Sequence, residues 1–374
     1  LKHTRWCCLP ELTDQLDALQ SALDALPFAL GEPALKAEMR HCPEDFRVDE
    51  NLGFLPSGQG EHIFLHVQKR GLTTPALVQH ISEVTGIPVR QISFAGLKDK
   101  YAVTTQWLSL HSPGNDPQGL ARIGNDAIKV LECTRNHRKL RRGAHAGNRF
   151  SLTLRSLQLR DPASDLSTAL TDLESRLATI AASGVPNYFG EQRFGHDNLR
   201  RALLPTGGNA QRRMKRQQRS MQMSAIRSAL FNLVLAERVR NNTWNHWLPG
   251  DVMNLDGTGS VFADEQETDK ALLQDRVAMM DIHPTGPLWG QGIPATTADA
   301  AVLEQHIARR WSLLSDYLEN ARQGLGQQRR SLRLPVQALH YRLQEDLSLS
   351  FELPVGAFAT VVVRELLQAI SQTD

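Results

Sequence analysis

Residues 91–110 read QISFAGLKDKYAVTTQWLSL. Ile92 and Phe94 alternate with polar neighbours, and Val103, Thr105 and Trp107 do the same. Period-two alternation marks half-buried strands, so this stretch predicts two strands with 96–101 as their connection. Upstream, 63–67 reads as a further strand and 75–85 as a helix. Thr74 is placed as its N-cap, Pro75 as its first residue and Gly86 as its stop, with Leu77, Val78, Ile81 and Val84 facing inward. Downstream, a second strand pair is expected over 127–131 and 150–154, enclosing RNHRKLRRGAHAGNR at 135–149.

Helical spacing returns at 165–182, where Leu166, Ala169, Leu170, Leu173, Leu177, Ile180 and Ala181 share a face that ends at Gly184. The chain then changes character. GVPNYFGEQRFG at 184–195 leads into a basic loop at 200–219, and helices are expected at 223–240 and 301–319. These residues predict a separate domain over 184–332. Near the end, Leu347, Leu349, Phe351 and Leu353 alternate with Ser348, Ser350 and Glu352, followed by a final helix from about Thr360. That late strand is best placed back in the first sheet. The expected architecture is therefore α+β, with residues 35–183 and 333–374 forming one domain interrupted by an insertion. Residues 1–34 would add an amphipathic helix or a loosely attached arm.

Composition narrows the function. A net charge of +2 over 374 residues is no polycation, yet two stretches carry cations without any acid. Residues 135–149 hold six Arg or Lys, and residues 200–219 hold seven. Such runs attract phosphates and release counterions on binding, although each could also be a solvated loop. The four cysteines, Cys7, Cys8, Cys42 and Cys133, form no C-x-x-C pair and read as thiols of a reducing compartment. No apolar run reaches the ~20 residues of a membrane span, and the first 30 residues lack a continuous apolar signal core. A cytosolic protein is expected. There is no G-x-G-x-x-G, Walker loop, H-E-x-x-H or G-x-S-x-G, so no nucleotide cofactor or metal is expected.

Asp99 stands between Lys98 and Lys100 in GLKDKY. Flanking cations favour an ionised carboxylate, which can serve as nucleophile or general base. Taken alone, the same residues are an ordinary surface β-turn. Phe46, Phe150 and Phe358 each sit beside polar or Gly-containing loops. Rings so placed can stack an extruded base, or can simply be core.

The chain resembles the TruD family of pseudouridine synthases. The matching strings are PEDFRVDE (43–50), GEHIFLHVQKRG (60–71), SFAGLKDKYAVTTQW (93–107), RKLRRGAHAGNRF (138–150), GVPNYFGEQRFG (184–195), SAIRSALFN (224–232) and LPVGAFATVVVREL (353–366). They run in order from about residue 36 to the C-terminus. The resemblance implies a catalytic domain around a mixed, largely antiparallel sheet, interrupted by a TruD-type α/β insertion. It implies cofactor-independent isomerisation of a tRNA uridine, typically at position 13; the oligomeric state stays open, with a monomer as the default expectation. It also assigns Asp99 as the catalytic carboxylate, with Phe46, Asn148, Phe150, Phe358, Arg40 and Lys98 toward the substrate. Phe150 matches the phenylalanine that replaces the active-site tyrosine of other pseudouridine synthases. Arg40 stands where the family often has Lys, a change that keeps charge but not geometry. On residues alone, a non-catalytic RNA-binding module and an aspartate-dependent hydrolase remain competing readings.

Overall fold

Alternation is realised as a ten-stranded sheet. The computed structural model describes residues 9–190, 193, 194, 199, 203, 216–263, 269–321 and 325–371. In chain order the first elements are α1 (Leu9–Asp24), β1 (Leu35–Met39), β2 (Phe46–Asn51), β3 (His62–Arg70), α2 (Thr74–Thr85), β4 (Ile92–Phe94), β5 (Val103–His111), β6 (Ile128–Asn136), β7 (Gly147–Leu159) and α3 (Leu166–Ser183). Next come β8 (Val185–Pro186), α4 (Arg216–Arg240), β9 (Val252–Leu255), β10 (Val261–Ala263), α5 (Lys270–Ala278), β11 (Ile282–Leu288), α6 (Ala298–Arg310), α7 (Ser312–Glu319), β12 (Gln328–Ser331) and β13 (Arg333–Leu334). The chain closes with β14 (Gln337–Leu343), β15 (Leu347–Pro354), α8 (Ala359–Leu366) and β16 (Gln368–Ser371). The fold is α+β, as expected.

Two units emerge from the internal contacts. One comprises residues 33–181, 336–359 and 366–374, and the other 1–32, 182–335 and 360–365. The first holds the large sheet, in the order β14-β15-β7-β2-β5-β3-β6, with β1 joining β7 to β16 and β4 lying beside β5. Only the β1–β16 and β2–β5 pairings in it are parallel among the described residues. The late strand β15 does return to this sheet, pairing with β7 from Leu347↔Leu154 to Pro354↔Gly147.

Side chains at every second strand position share a face. Phe46, Val48 and Glu50 of β2 are therefore buried while Arg47, Asp49 and Asn51 are exposed. Register sets Val48 opposite Phe150, and Phe150 opposite Phe351. One step along, Glu50 lies opposite Asn148, and Asn148 opposite Leu353. This close pairing depends on Gly147, where an added Cβ would stand 2.5 Å from the Leu353 carbonyl oxygen. Strand β5 is buried from Val103 to Leu110 because both its faces are covered. Leu77, Val78 and Ile81 of α2 share a core with Leu108 and Leu110, while Leu52, Phe64, Ala95 and Leu140 surround Trp107. Each such aliphatic side chain contributes about 1.5–3 kcal/mol by leaving water.

Two local expectations are corrected. Strands β6 and β7 exist but do not pair with each other: β6 adds to β3, and β7 lies between β2 and β15. The connection between them instead packs on the β4–β5 loop, with Gly143 N donating to Ala95 O at 2.9 Å. The N-cap of α2 is Thr73, which accepts from Ala76 N at 3.2 Å, so Thr74 is free for another bond.

In the other unit, Ile226, Ala229, Leu230, Leu233 and Val234 of α4 form the inward face. They pack with Leu16 and Leu19 of α1, Ile307 of α6, and Leu314 and Leu318 of α7. Leu9–Asp24 is thus a docked helix of this core. The helix expected over 301–319 is two helices, broken at Trp311 (φ −112°, ψ 45°). Strands β10-β9-β11-β12 form a four-stranded sheet, and β8 pairs with β13. Of the basic loop at 200–219, all but 203 and 216–219 lies outside the described residues.

Candidate active site

The stretch from Arg40 to Phe46 explains how distant residues reach Asp99. Beyond β1 the chain turns back through a 3-10 turn at Pro43–Asp45 into β2. Asp45 fixes that turn, accepting from Cys42 N at 3.2 Å and from Arg155 Nε and Nη2 at 2.9 and 2.8 Å. Burial pushes the Asp45 carboxyl up, but its bonds to Arg155 and Cys42 outweigh this and hold it below its ordinary value. Arg40 takes a left-handed φ of 66°, which costs a side-chain-bearing residue about 1–2 kcal/mol. Its guanidinium then lies 4.1 Å over the Phe46 ring and places Nη2 3.2 Å from Asp99 Oδ2.

Asp99 lies on the connection between β4 and β5, with its side chain 44% exposed. Sequence proximity points to Lys98 and Lys100 as its cations, but the structure uses Arg40. Lys98 turns away and buries its ammonium 2.6 Å from Glu50 Oε2, while also donating to Asn148 Oδ1 at 2.8 Å. Lys100 is exposed. The main chain around Asp99 is tied on both sides. Lys98 N donates to Thr74 Oγ1 at 3.0 Å, and Asp99 O accepts from Lys69 Nζ at 2.7 Å. Thr74 in turn donates to Gln106 Oε1 of β5 at 2.9 Å. A carboxylate held this way is presented in a fixed place, as a reacting group requires.

The structure links Arg40, Phe46, Lys98, Asp99 and Asn148 through these contacts, and Phe150 joins through Phe46. Phe46 meets Phe150 edge-on at 6.2 Å, and Phe150 stacks on Phe351 at 5.6 Å. Both Phe46 and Phe150 are buried, and Arg40 covers a face of Phe46. These rings therefore form a floor that positions Arg40 rather than open stacking surfaces. Phe358 is half-buried, four residues beyond the end of β15, outside this chain of contacts.

Glu50, Lys69, Thr74 and His145 were not singled out as site residues by sequence, in which Thr74 reads only as a helix cap. Glu50 extends the inward row Phe46, Val48 of β2, and Lys69 extends the row Ile63, Leu65, Val67 of β3. A charge on the apolar face of a strand is the signal that could have found both. His145 is buried near Gly96, and its Nδ1 makes no hydrogen bond among the described residues. Burial pushes its pKa down, as does nearby Lys98, with Glu50 opposing.

Of the basic segment 135–149, Arg135 binds the carbonyls of Gly60, Ser112 and Gly114 and pairs with Asp116. Arg142 lies 4.1 Å over Phe94, and Arg149 pairs with Glu352 at 2.6 Å. Arg138, Lys139 and Arg141 remain exposed. Among the described residues no group of three His, Cys, Asp or Glu is placed to hold a metal ion, and no helix is long and apolar enough to cross a membrane.

The fold is that of a solved structure from Methanosarcina mazei named as tRNA pseudouridine synthase D (TruD). The match has a TM-score of 0.70 at 21% identity and covers 91% of this chain and 95% of that one. The chain is 43% identical over 350 residues to tRNA pseudouridine synthase D of Methylococcus capsulatus, covering 92% of this chain and 95% of that one. The counterpart from Azotobacter vinelandii is 45% identical over 345 residues, covering 91% and 94%. The family model for tRNA pseudouridine synthase D (TruD) matches residues 22–204 and 206–366. The chain belongs to the TruD family of tRNA pseudouridine synthases, isomerases that convert a uridine in tRNA to pseudouridine.

Proposed function

We propose that this synthase modifies the uridine at position 13 of tRNA, with Asp99 as the catalytic carboxylate. The observation that carries the reading is the setting of Asp99: a partly exposed carboxylate, paired with Arg40, on a loop whose main chain is anchored by Lys69 and Thr74. Isomerisation breaks the C1′–N1 bond and joins C1′ to C5. C5 loses a proton and N1 gains one, so the net composition is unchanged. An ionised carboxylate beside the extruded nucleotide supplies what bond scission needs.

Extrusion costs a few kcal/mol. Stacking offsets it by roughly 1–3 kcal/mol per base, and Phe358 is the candidate ring with surface left to stack. Asn148 gives its Oδ1 to Lys98, which leaves the amide NH2 to donate to a uracil carbonyl. Arg138, Lys139 and Arg141 supply backbone affinity. The enzyme acts as a cytoplasmic monomer, and its chemistry calls on no cofactor. The test is Asp99→Asn on unmodified tRNA transcripts, read by tritium release from C5-labelled uridine and by pseudouridine mapping. Turnover is expected to fall by about 1000-fold or more. Full turnover, or product only at another position, would overturn the corresponding part of the reading.

A further inference from the structure

Lys69 is fully buried on the inward row of β3, where Ile63, Leu65 and Val67 precede it. By core-packing logic the next place in that row belongs to an apolar side chain. A buried ammonium is costly unless it is paired, yet Lys69 makes no ion pair among the described residues. Its Nζ donates instead to two backbone carbonyls, Leu72 O at 2.6 Å and Asp99 O at 2.7 Å. Leu72 precedes Thr73 and Thr74 at the start of α2, and Thr74 Oγ1 accepts from Lys98 N. The two backbone segments are thus joined twice: once through the ammonium to the Asp99 carbonyl, and once through the threonine to the amide before it.

We propose that Lys69 is a positioning residue for the isomerisation: its ammonium clamps the Asp99 main chain to the start of α2 and so fixes where the Asp99 carboxylate stands. The side chain touches neither the carboxylate oxygens nor the face of the loop open to solvent; it acts through Asp99. The charged groups facing the ammonium are Asp99, which favours its protonated form, and Lys98, which opposes it. Burial, reinforced by Lys98, outweighs Asp99 and brings the Lys69 pKa down to about 8. Even the neutral amine keeps two N–H donors, so the clamp itself does not depend on the charge.

The inference rests on Asp99 being the catalytic carboxylate, and the experiment separates the two. Lys69→Met, Lys69→Arg and Asp99→Asn are compared on the same tRNA transcript by steady-state kinetics, with circular dichroism melts of the same samples. Misplacing a reacting group by about 1 Å can cost about 100-fold. The expected result for Lys69→Met is therefore a kcat lowered by about 30–100-fold, with KM unchanged within about 2-fold and a folded protein throughout. Lys69→Arg, which keeps donors at this place, recovers at least about 10-fold of that loss. Should Lys69→Met fail to fold, Lys69→Gln is read against the same criteria. A wild-type kcat in the folded variant, a loss carried by KM, or no recovery with Arg overturns the proposal while Asp99→Asn remains inactive. An active Asp99→Asn overturns the reading beneath it instead.

Discussion

Two sets of buried charges in this molecule are built differently. In the unit carrying α4, Arg238 donates to both oxygens of Asp251 at 2.9 and 3.0 Å and also to the carbonyls of Thr243 and His246. Arg329 likewise binds both oxygens of Glu304 at 3.0 and 2.8 Å, along with Thr285. Those arginines are engaged on several sides, and what they hold is their own unit. Around Asp99 the balance differs. Among the described residues, Arg40 Nε, Gln106 Nε2 and His145 Nδ1 are buried without a hydrogen bond, Lys69 has only carbonyls, and the Asp99 carboxylate is partly exposed. The first set stabilises. The second leaves polar atoms without partners around one carboxylate, a setting that suits the role proposed for Asp99.

Substitutions in the two sets should therefore separate stability from rate. Glu50→Gln leaves the Lys98 ammonium buried without a countercharge, which costs roughly 3–5 kcal/mol in pairs of this kind. Its kcat should also fall by more than about 100-fold, because Lys98 and Asn148 lose their anchor. Asp251→Asn should cost comparable stability in urea unfolding but leave kcat of the folded fraction within about 3-fold. Equal kcat losses in the two variants would erase the distinction.

A smaller effect is expected from Arg40→Lys. Charge is kept, but the planar group over Phe46 is lost. We expect kcat to fall about 10-fold in single-turnover assays; an unchanged rate would show that the stacked geometry is dispensable.

The buried Lys69 gives a pH signature. Its folded pKa, about 8, lies below the ordinary 10.5. Below pH 8 both folded and unfolded chains carry the proton, and burying the charge costs stability. As pH rises from 8 toward 10.5, the folded state has released the proton while the unfolded chain still binds it, so stability rises through this window. The Tm advantage of Lys69→Met over the parent should be largest near pH 7 and shrink toward pH 10. A gap independent of pH would mean that the ammonium is not the costly element.

The mildest variant removes exposed charge. With Arg138, Lys139 and Arg141 changed together to Gln, the dependence of log Kd on log salt should weaken by about 2–3, at roughly 0.7–0.9 per phosphate contact. kcat at saturating tRNA should stay the same. An unaltered salt slope would place the phosphate contacts elsewhere.

Much of the fold was legible in sequence because period-two alternation is a local property. Strand β15 could be returned to the first sheet from its pattern alone. The β6–β7 pairing could not be judged that way: strands adjacent in sequence pair by default, and only tertiary contacts of the connection, such as Gly143 to Ala95, decide otherwise. Adjacent threonines hid the α2 cap, since Thr73 and Thr74 are equally able to cap it. At the site, Asp99 and its loop were legible from the motif strings, but its partner was not. Arg40 lies 59 residues away and reaches Asp99 through a left-handed turn fixed by Asp45. Glu50 and Lys69 were legible in principle, as charges standing where an apolar residue belongs.

The role proposed for Asp99 is that of a carboxylate acting from one fixed place. It is tested most directly by single-turnover rates of Asp99→Glu and Asp99→Asn on a tRNA transcript, with tRNA affinity measured in parallel. Expected are unchanged affinity within about 3-fold, no detectable product with Asn, and a loss of about 100-fold or more with Glu, whose carboxylate stands one methylene too far. A wild-type rate with Glu would contradict the importance of placement, and a wild-type rate with Asn would contradict the role of Asp99 itself.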